Sequence, residues 1–133
     1  MKQDRNEPEL VRSRVSLQWI GVDGLAYLVF DDDAEIELQD AKDIVNNIAI
    51  RHPDGKYPLL IDVCRIRSIS NDARNYFVTA AAQKYRIAEA LVVETTASRL
   101  FAGFFIRFHK PDNPARLFDS QIEAIAWLKS FLS

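Results

Sequence analysis

From Val11 the chain alternates: Val11, Ser13, Val15, Leu17 and Trp19 share one side, and Arg12, Arg14, Ser16 and Gln18 the other. A period of two predicts an extended strand whose arginine side faces water. Gly21-Val22-Asp23-Gly24 supplies turn chemistry before the apolar run Leu25 to Phe30, so the two runs are expected to form an antiparallel hairpin ending at Asp31-Asp32-Asp33. The period then changes. Leu38, Ala41, Ile44, Val45 and Ile48 recur at helical spacing, and the pattern stops at Arg51-His52-Pro53-Asp54-Gly55. Tyr57 to Val63 is a continuous apolar run, the signature of a strand covered on both faces, which places it at the centre of the sheet.

Ser70-Asn71-Asp72 offers cap oxygens to a second helix, with Ala73, Phe77, Ala80 and Ala81 on its packing face. Ala88 to Glu94 predicts another strand. Thr96 or Ser98 caps a third helix, whose Leu100, Phe101, Phe104, Phe105 and Phe108 form a wide apolar stripe. That stripe has two readings, a core face or a core face with an exposed apolar surface for a partner or lipid, and packing alone accounts for most of it. Pro111 and Pro114 end the helix before a short strand, Ala115 to Phe118. Ser120-Gln121-Ile122-Glu123 is a capping box opening a last helix with Ile122, Ile125 and Leu128 in one stripe and Ala124, Trp127 and Phe131 in the next. Two apolar stripes on one helix suggest a homodimer.

The order β-β-α-β-α-β-α-β-α predicts an α/β fold: a mixed sheet of about five strands, an antiparallel hairpin followed by parallel βα units, with about four helices. Residues 1–8, polar and ending at Pro8, read as a disordered lead, and residues 9–133 as one domain.

Composition narrows the function classes. Hydrophobic residues make up 48% of the 133, enough for a packed core. Seventeen basic and nineteen acidic residues leave a net charge of −2, which removes the electrostatic footprint of a nucleic-acid binder. Without an apolar leader or an uncharged run of membrane-spanning length, a cytoplasmic location is expected. Cys64 is the single cysteine, so neither an intramolecular disulfide nor a cysteine-rich zinc site can form.

Leu60-Ile61-Asp62-Val63, followed by a short loop and a capped helix, resembles the anti-sigma-factor-antagonist domains, STAS or SpoIIAA-like. Ala73-Arg74, the stretch Arg99 to Phe105, Pro114 to Phe118 and Trp127-Leu128 are similar to motifs of uncharacterised bacterial STAS/SEC14 domain-containing proteins. The resemblance spans most of residues 11–132 and implies a regulatory or protein-interaction module, non-enzymatic, with no cofactor. The SEC14 label implies an alternative, a small apolar-ligand or lipid-binding protein. Phosphorylatable STAS switches carry an Asp-Ser-Ser-Gly-like loop, and here Ser70-Asn71-Asp72-Ala73 stands in its place. The motif's serines and glycine are missing, which implies that the phosphoserine switch is lost. Ser68 and Ser70 remain as hydroxyls outside the motif positions.

Asp62, Arg65, Arg67, Ser70, Asn71, Asp72 and Arg74 crowd into thirteen positions after the central strand, where open α/β sheets gather ligand crevices. They form the candidate interaction or ligand loop. Asp62 can bind a cation or act as a base, or simply cap the loop. The three arginines can hold an anion, or can be solvated and paired to acids, the more ordinary fate. His52 and His109 have no partners at metal-ligand spacing and read as surface residues, and Cys64 as a buried, inert thiol. Neither a nucleophile elbow nor a phosphate-binding glycine loop occurs.

Overall fold

The hairpin sets the sheet's register. In a computed structural model, which describes residues 9–109 and 113–132, strand β2 (Ser16–Ile20) pairs antiparallel with β3 (Ala26–Phe30), Leu17 opposite Val29 and Trp19 opposite Tyr27. Gly24 closes the turn at φ 88°, a conformation glycine adopts without a side-chain penalty. A two-residue strand, β1 (Val11–Arg12), continues the edge.

The single strand expected from Val11 to Trp19 is therefore broken. At the break the Ser13 N–H donates to the Ser16 carbonyl, and the two hydroxyls lie 2.6 Å apart. Val15 and Ser16 are consecutive and both buried while Arg12 and Arg14 stay exposed, so the side expected to be wet is covered only from Ser16 onward. Gln18 fits there because its amide donates to the Ile44 carbonyl of helix α1 (Leu38–Arg51) and accepts from Asn47.

Strands β5 (Tyr57–Asp62), β7 (Arg86–Val92) and β8 (Ala115–Phe118) add in parallel, giving a six-stranded mixed sheet in the order β1-β2-β3-β5-β7-β8. The apolar run at 57–63 does supply a central strand, β5, held on both edges. A separate parallel pair, β4 (Glu35–Ile36) with β6 (Ser68–Ile69), braces the loops at the end of that strand. Two residues per strand are too few to leave a period in the sequence.

Among the described residues there are five helices, where about four were expected: α1, α2 (Asn71–Phe77), α3 (Ala80–Gln83), α4 (Thr96–His109) and α5 (Gln121–Lys129). The extra one arises at Thr79, whose hydroxyl donates to the Tyr76 carbonyl and accepts from the Ala82 N–H, ending one helix and capping another. Ala80 and Ala81, expected in the packing face, are exposed as a result, and Ala82 is buried instead.

Each face of the sheet carries its own core. Leu28, Phe30, Ile61 and Leu91 pack against Ile44 and Val45 of α1, Phe77 of α2 and Phe105 of α4. Leu25, Leu60, Ala88 and Ala90 meet Ala124 and Leu128 of α5 on the other side, with Trp127 and Phe131 half-buried beside them. In α4 the buried positions are Ser98, Ala102 and Phe105, one helical face, which leaves Leu100 (70% exposed) and Phe104 (46%) outside the core that the stripe was expected to fill. Ile122, in the first turn of α5, is likewise exposed, so the stripe expected from Ile122 to Leu128 is not a continuous buried one. The lead expected for residues 1–8, Pro111 and the side chains of Phe108 and His109 lie outside what the structure describes.

Helix α1 is pinned at its start by Asp40. The buried carboxylate accepts from the Glu37 N–H at 2.9 Å and from both Nε and Nη2 of Arg14, at 2.9 and 2.6 Å. Hydrogen bonding to Arg14 outweighs burial and holds the Asp40 carboxyl below the usual carboxylate range. A depressed folded-state pKa stabilises the fold at pH above about 4, and the contribution fades as acid protonates Asp40. Urea denaturation between pH 7 and 3 should therefore show wild type losing stability relative to Asp40→Asn as the pH falls; parallel curves would exclude this role.

Candidate functional site

The loop after β5 is built from short-range bonds. Asp62 Oδ1 accepts from the Cys64 N–H at 3.0 Å, turning the chain away from the sheet. Arg65 then pairs with Glu94 at 2.8 Å and approaches Asp32 at 3.9 Å, while Arg67 reaches Asp33 and Glu35 at 3.6 and 3.7 Å. Backbone bonds run alongside: the Asp33 N–H donates to the Arg65 carbonyl and the Arg67 N–H to that of Ala34. These bonds hold Asp33 in the left-handed region, at φ 62°. Ser70 caps α2, its hydroxyl accepting from the Ala73 N–H at 3.1 Å. Asn71 and Asp72 are exposed in the first turn.

Arg74 differs from the other two arginines. Its guanidinium bonds the Asn71 side chain and lies over the Phe104 ring of α4, 5.2 Å from the centroid. Its Nε is buried with no hydrogen-bond partner among the described residues. Thus the structure does not gather the three arginines around one anion: Arg65 and Arg67 serve the acidic 32–35 and Glu94 positions, and Arg74 serves the contact between α2 and α4. Exposed ion pairs of the first kind contribute about 0–1 kcal/mol each.

Cys64 is half-buried, and burial together with the hydrogen-bonded Asp62 carboxylate pushes its thiol up to about 12. His52 packs edge-on against Tyr57, ring centroids 5.7 Å apart. Among the described residues no three His, Cys, Asp or Glu side chains cluster as a metal site, and no helix is long and apolar enough to cross a membrane.

Two interior features escape the sequence reading. Beneath α2 and α4, Glu89 of β7 is fully buried, accepting from Arg86 Nη1 at 2.5 Å and from Gln83 Nε2 at 2.9 Å. Gln83 in turn accepts from Asn113, so the network links β7, α3 and the segment before β8. The signal was present in Arg86-Ile87-Ala88-Glu89-Ala90, two charges inside an apolar strand. The second feature is a cavity of about 170 Å³ under the C-terminal half of α1, at the opposite end of β5 from the 64–74 loop. Ile44, Ile48, Leu28 and Leu59 line it, with His52 and Tyr57 among the polar groups.

The architecture is that of a SpoIIAA-like fold. The structure is similar to the crystal structure of an uncharacterised protein of the DUF3478 family with a SpoIIAA-like fold from Shewanella loihica PV-4, at TM-score 0.60 and 12% identity over 96% of this chain and 98% of that one. At that identity the likeness shows the fold alone. By sequence, residues 18–132 match a family described as a domain of unknown function, DUF7793, and the chain belongs to it. Comparison with curated proteins finds no match.

Removing one partner from a buried ion pair strands the other charge. Glu89→Ala should cost about 3–5 kcal/mol, whereas replacing both members by apolar residues, Arg86→Met with Glu89→Leu, should recover most of it; denaturant titrations giving equal losses for single and double variants would exclude the pair as the cause. Cys64 should react with iodoacetamide at pH 8 at least about a hundredfold more slowly than free cysteine, and a comparable rate would contradict its protected state.

Proposed function

We propose that this chain is a STAS-like, non-enzymatic interaction module that docks a protein partner on the surface shared by the start of α2 and the outer face of α4. The observation that carries the reading is Arg74: a buried Nε donor without an acceptor, on a guanidinium stacked against half-exposed Phe104. A buried donor left unmet in the free protein is costly, and an acceptor carried by a partner would relieve it. Leu100, 70% exposed, stands one turn from Phe104 on the same helix and adds apolar area beside the charge. Aromatic and arginine side chains are the usual anchors of such surfaces.

The classical phosphoserine switch is absent from this proposal. Asn71 and Asp72 occupy the positions of the switch serines, and the Ser70 hydroxyl is engaged as the α2 cap. Asp62, Arg65 and Arg67 act here as scaffold, fixing the loop from which Asn71, Asp72 and Arg74 project. The resemblance to STAS/SEC14 proteins supports the class, and fold analogy alone would not assign it.

A second reading, a carrier of a small apolar ligand, is favoured by the cavity beneath α1. It concerns the opposite end of the sheet, so the two can be tested separately.

Arg74→Ala, Asn71→Ala and Leu100→Glu, used as baits in host lysate, should each fold as wild type does and lose a protein that wild type retains. Retention of the same proteins by all three variants would remove this surface as the docking site.

A further inference from the structure

We infer that the cavity beneath α1 is a binding site for a small organic monocarboxylate, a single ring or short branched chain bearing one carboxylate. The inference rests on the small-ligand reading above and narrows it to a chemical class.

Volume sets the size. A cavity of about 150 Å³ lined by aliphatic residues holds one benzene molecule, and this one measures about 170 Å³. Ligand pockets for larger molecules run from ~300 Å³ upward, so a long-chain or two-chain lipid does not fit. Wall chemistry sets the body of the ligand: Leu28, Ile44, Val45, Ile48 and Leu59 give an aliphatic lining contributed by rigid elements, two strands paired into the sheet and the helix over them.

Charge sets the head group. Two arginines, Arg51 and Arg86, line this cavity, and among its described lining residues Glu9 is the one acid. Glu9 meets Arg51 at 3.6 Å in an exposed pair, the weak kind for whose guanidinium a ligand carboxylate can compete. Arg86 is held from behind: Nη1 binds Glu89 and the Phe77 carbonyl, and the guanidinium lies over the Phe77 ring. A guanidinium carries five N–H donors in a fixed fork suited to a carboxylate, so Arg86 retains donors beyond those its own network uses. The Arg86–Glu89 pair thereby acquires a purpose that stability does not supply, since a buried pair is seldom more stabilising than apolar residues of the same volume. It fixes an arginine in a cavity wall.

The test is titration calorimetry of the full chain with three probes: benzoate, benzyl alcohol as its neutral counterpart, and laurate as a long-chain acid. Benzoate should bind one-to-one and more tightly than benzyl alcohol. Arg51→Gln should weaken benzoate about tenfold and leave benzyl alcohol unchanged, a difference worth ~1.4 kcal/mol. Ile48→Trp, which places a ring in the space, should abolish both, with Ala26→Leu as a second filling variant from the sheet side should the first fail to fold. Benzyl alcohol binding as well as benzoate, or benzoate binding that ignores Arg51→Gln, would overturn the carboxylate class while leaving a small-ligand site. Laurate binding in preference to both rings would overturn the size argument. Failure of all three probes would remove the ligand reading itself.

Discussion

Everything in this fold is referred to β5. A strand hydrogen-bonded on both edges and covered on both faces can satisfy its backbone only through its neighbours and its side chains only through helices on either side. Tyr57 to Asp62 meets that condition through β3 and β7, with Leu60 facing α5 and Ile61 facing the α1 side. The alanines of β7, Ala88 and Ala90, let α5 approach closely, and a single helix then covers the parallel half of that face. On the other face α1, α2 and α4 share the cover, and the buried Glu89 lies there.

Glu89 faces α2 and α4 from the middle of an apolar strand, and its charge is answered by Arg86 and Gln83 without recourse to solvent. At one end of the strands, Asp32, Asp33, Glu35 and Glu94 pair with the arginines at 65 and 67 and brace the loop. At the other end, a space under α1 is left unfilled, with Arg51 and Arg86 in its wall, each paired to a glutamate. The loop leads into α2, whose Arg74 lies over Phe104 of α4, whereas the hollow is walled mainly by aliphatic side chains. Both lie on the face covered by α1, α2 and α4, at opposite ends of the strands.

Much was legible along the chain. Alternation and helical spacing placed the hairpin, α1, β5, α4, β8 and α5, and turn chemistry at residues 21–24 and 51–55 separated them. The resemblance in Leu60-Ile61-Asp62-Val63 and in the Arg99 to Phe105 stretch pointed to the SpoIIAA-like fold that the structure shows. Ser70 and Ser120 were readable as caps because a cap is a local bond, made to an N–H three residues on.

What the sequence by itself determined, then, is a set of features whose partners are near neighbours in the chain: the periods, the Ser70 and Ser120 caps, the turns and the order of the longer elements. Only the tertiary structure decided which side of β2 is covered, where α2 breaks at Thr79, and that α4 turns Ser98, Ala102 and Phe105 inward while Leu100 and Phe104 stay out. It also decided that Glu89 meets Gln83 and Asn113, and that Arg74 crosses to α4 while Arg65 and Arg67 turn to acids 29 to 34 positions away. Periodicity reports that a residue has an apolar side to serve, but which side is buried is set by where distant segments pack, and a stripe of phenylalanines reads the same in either case.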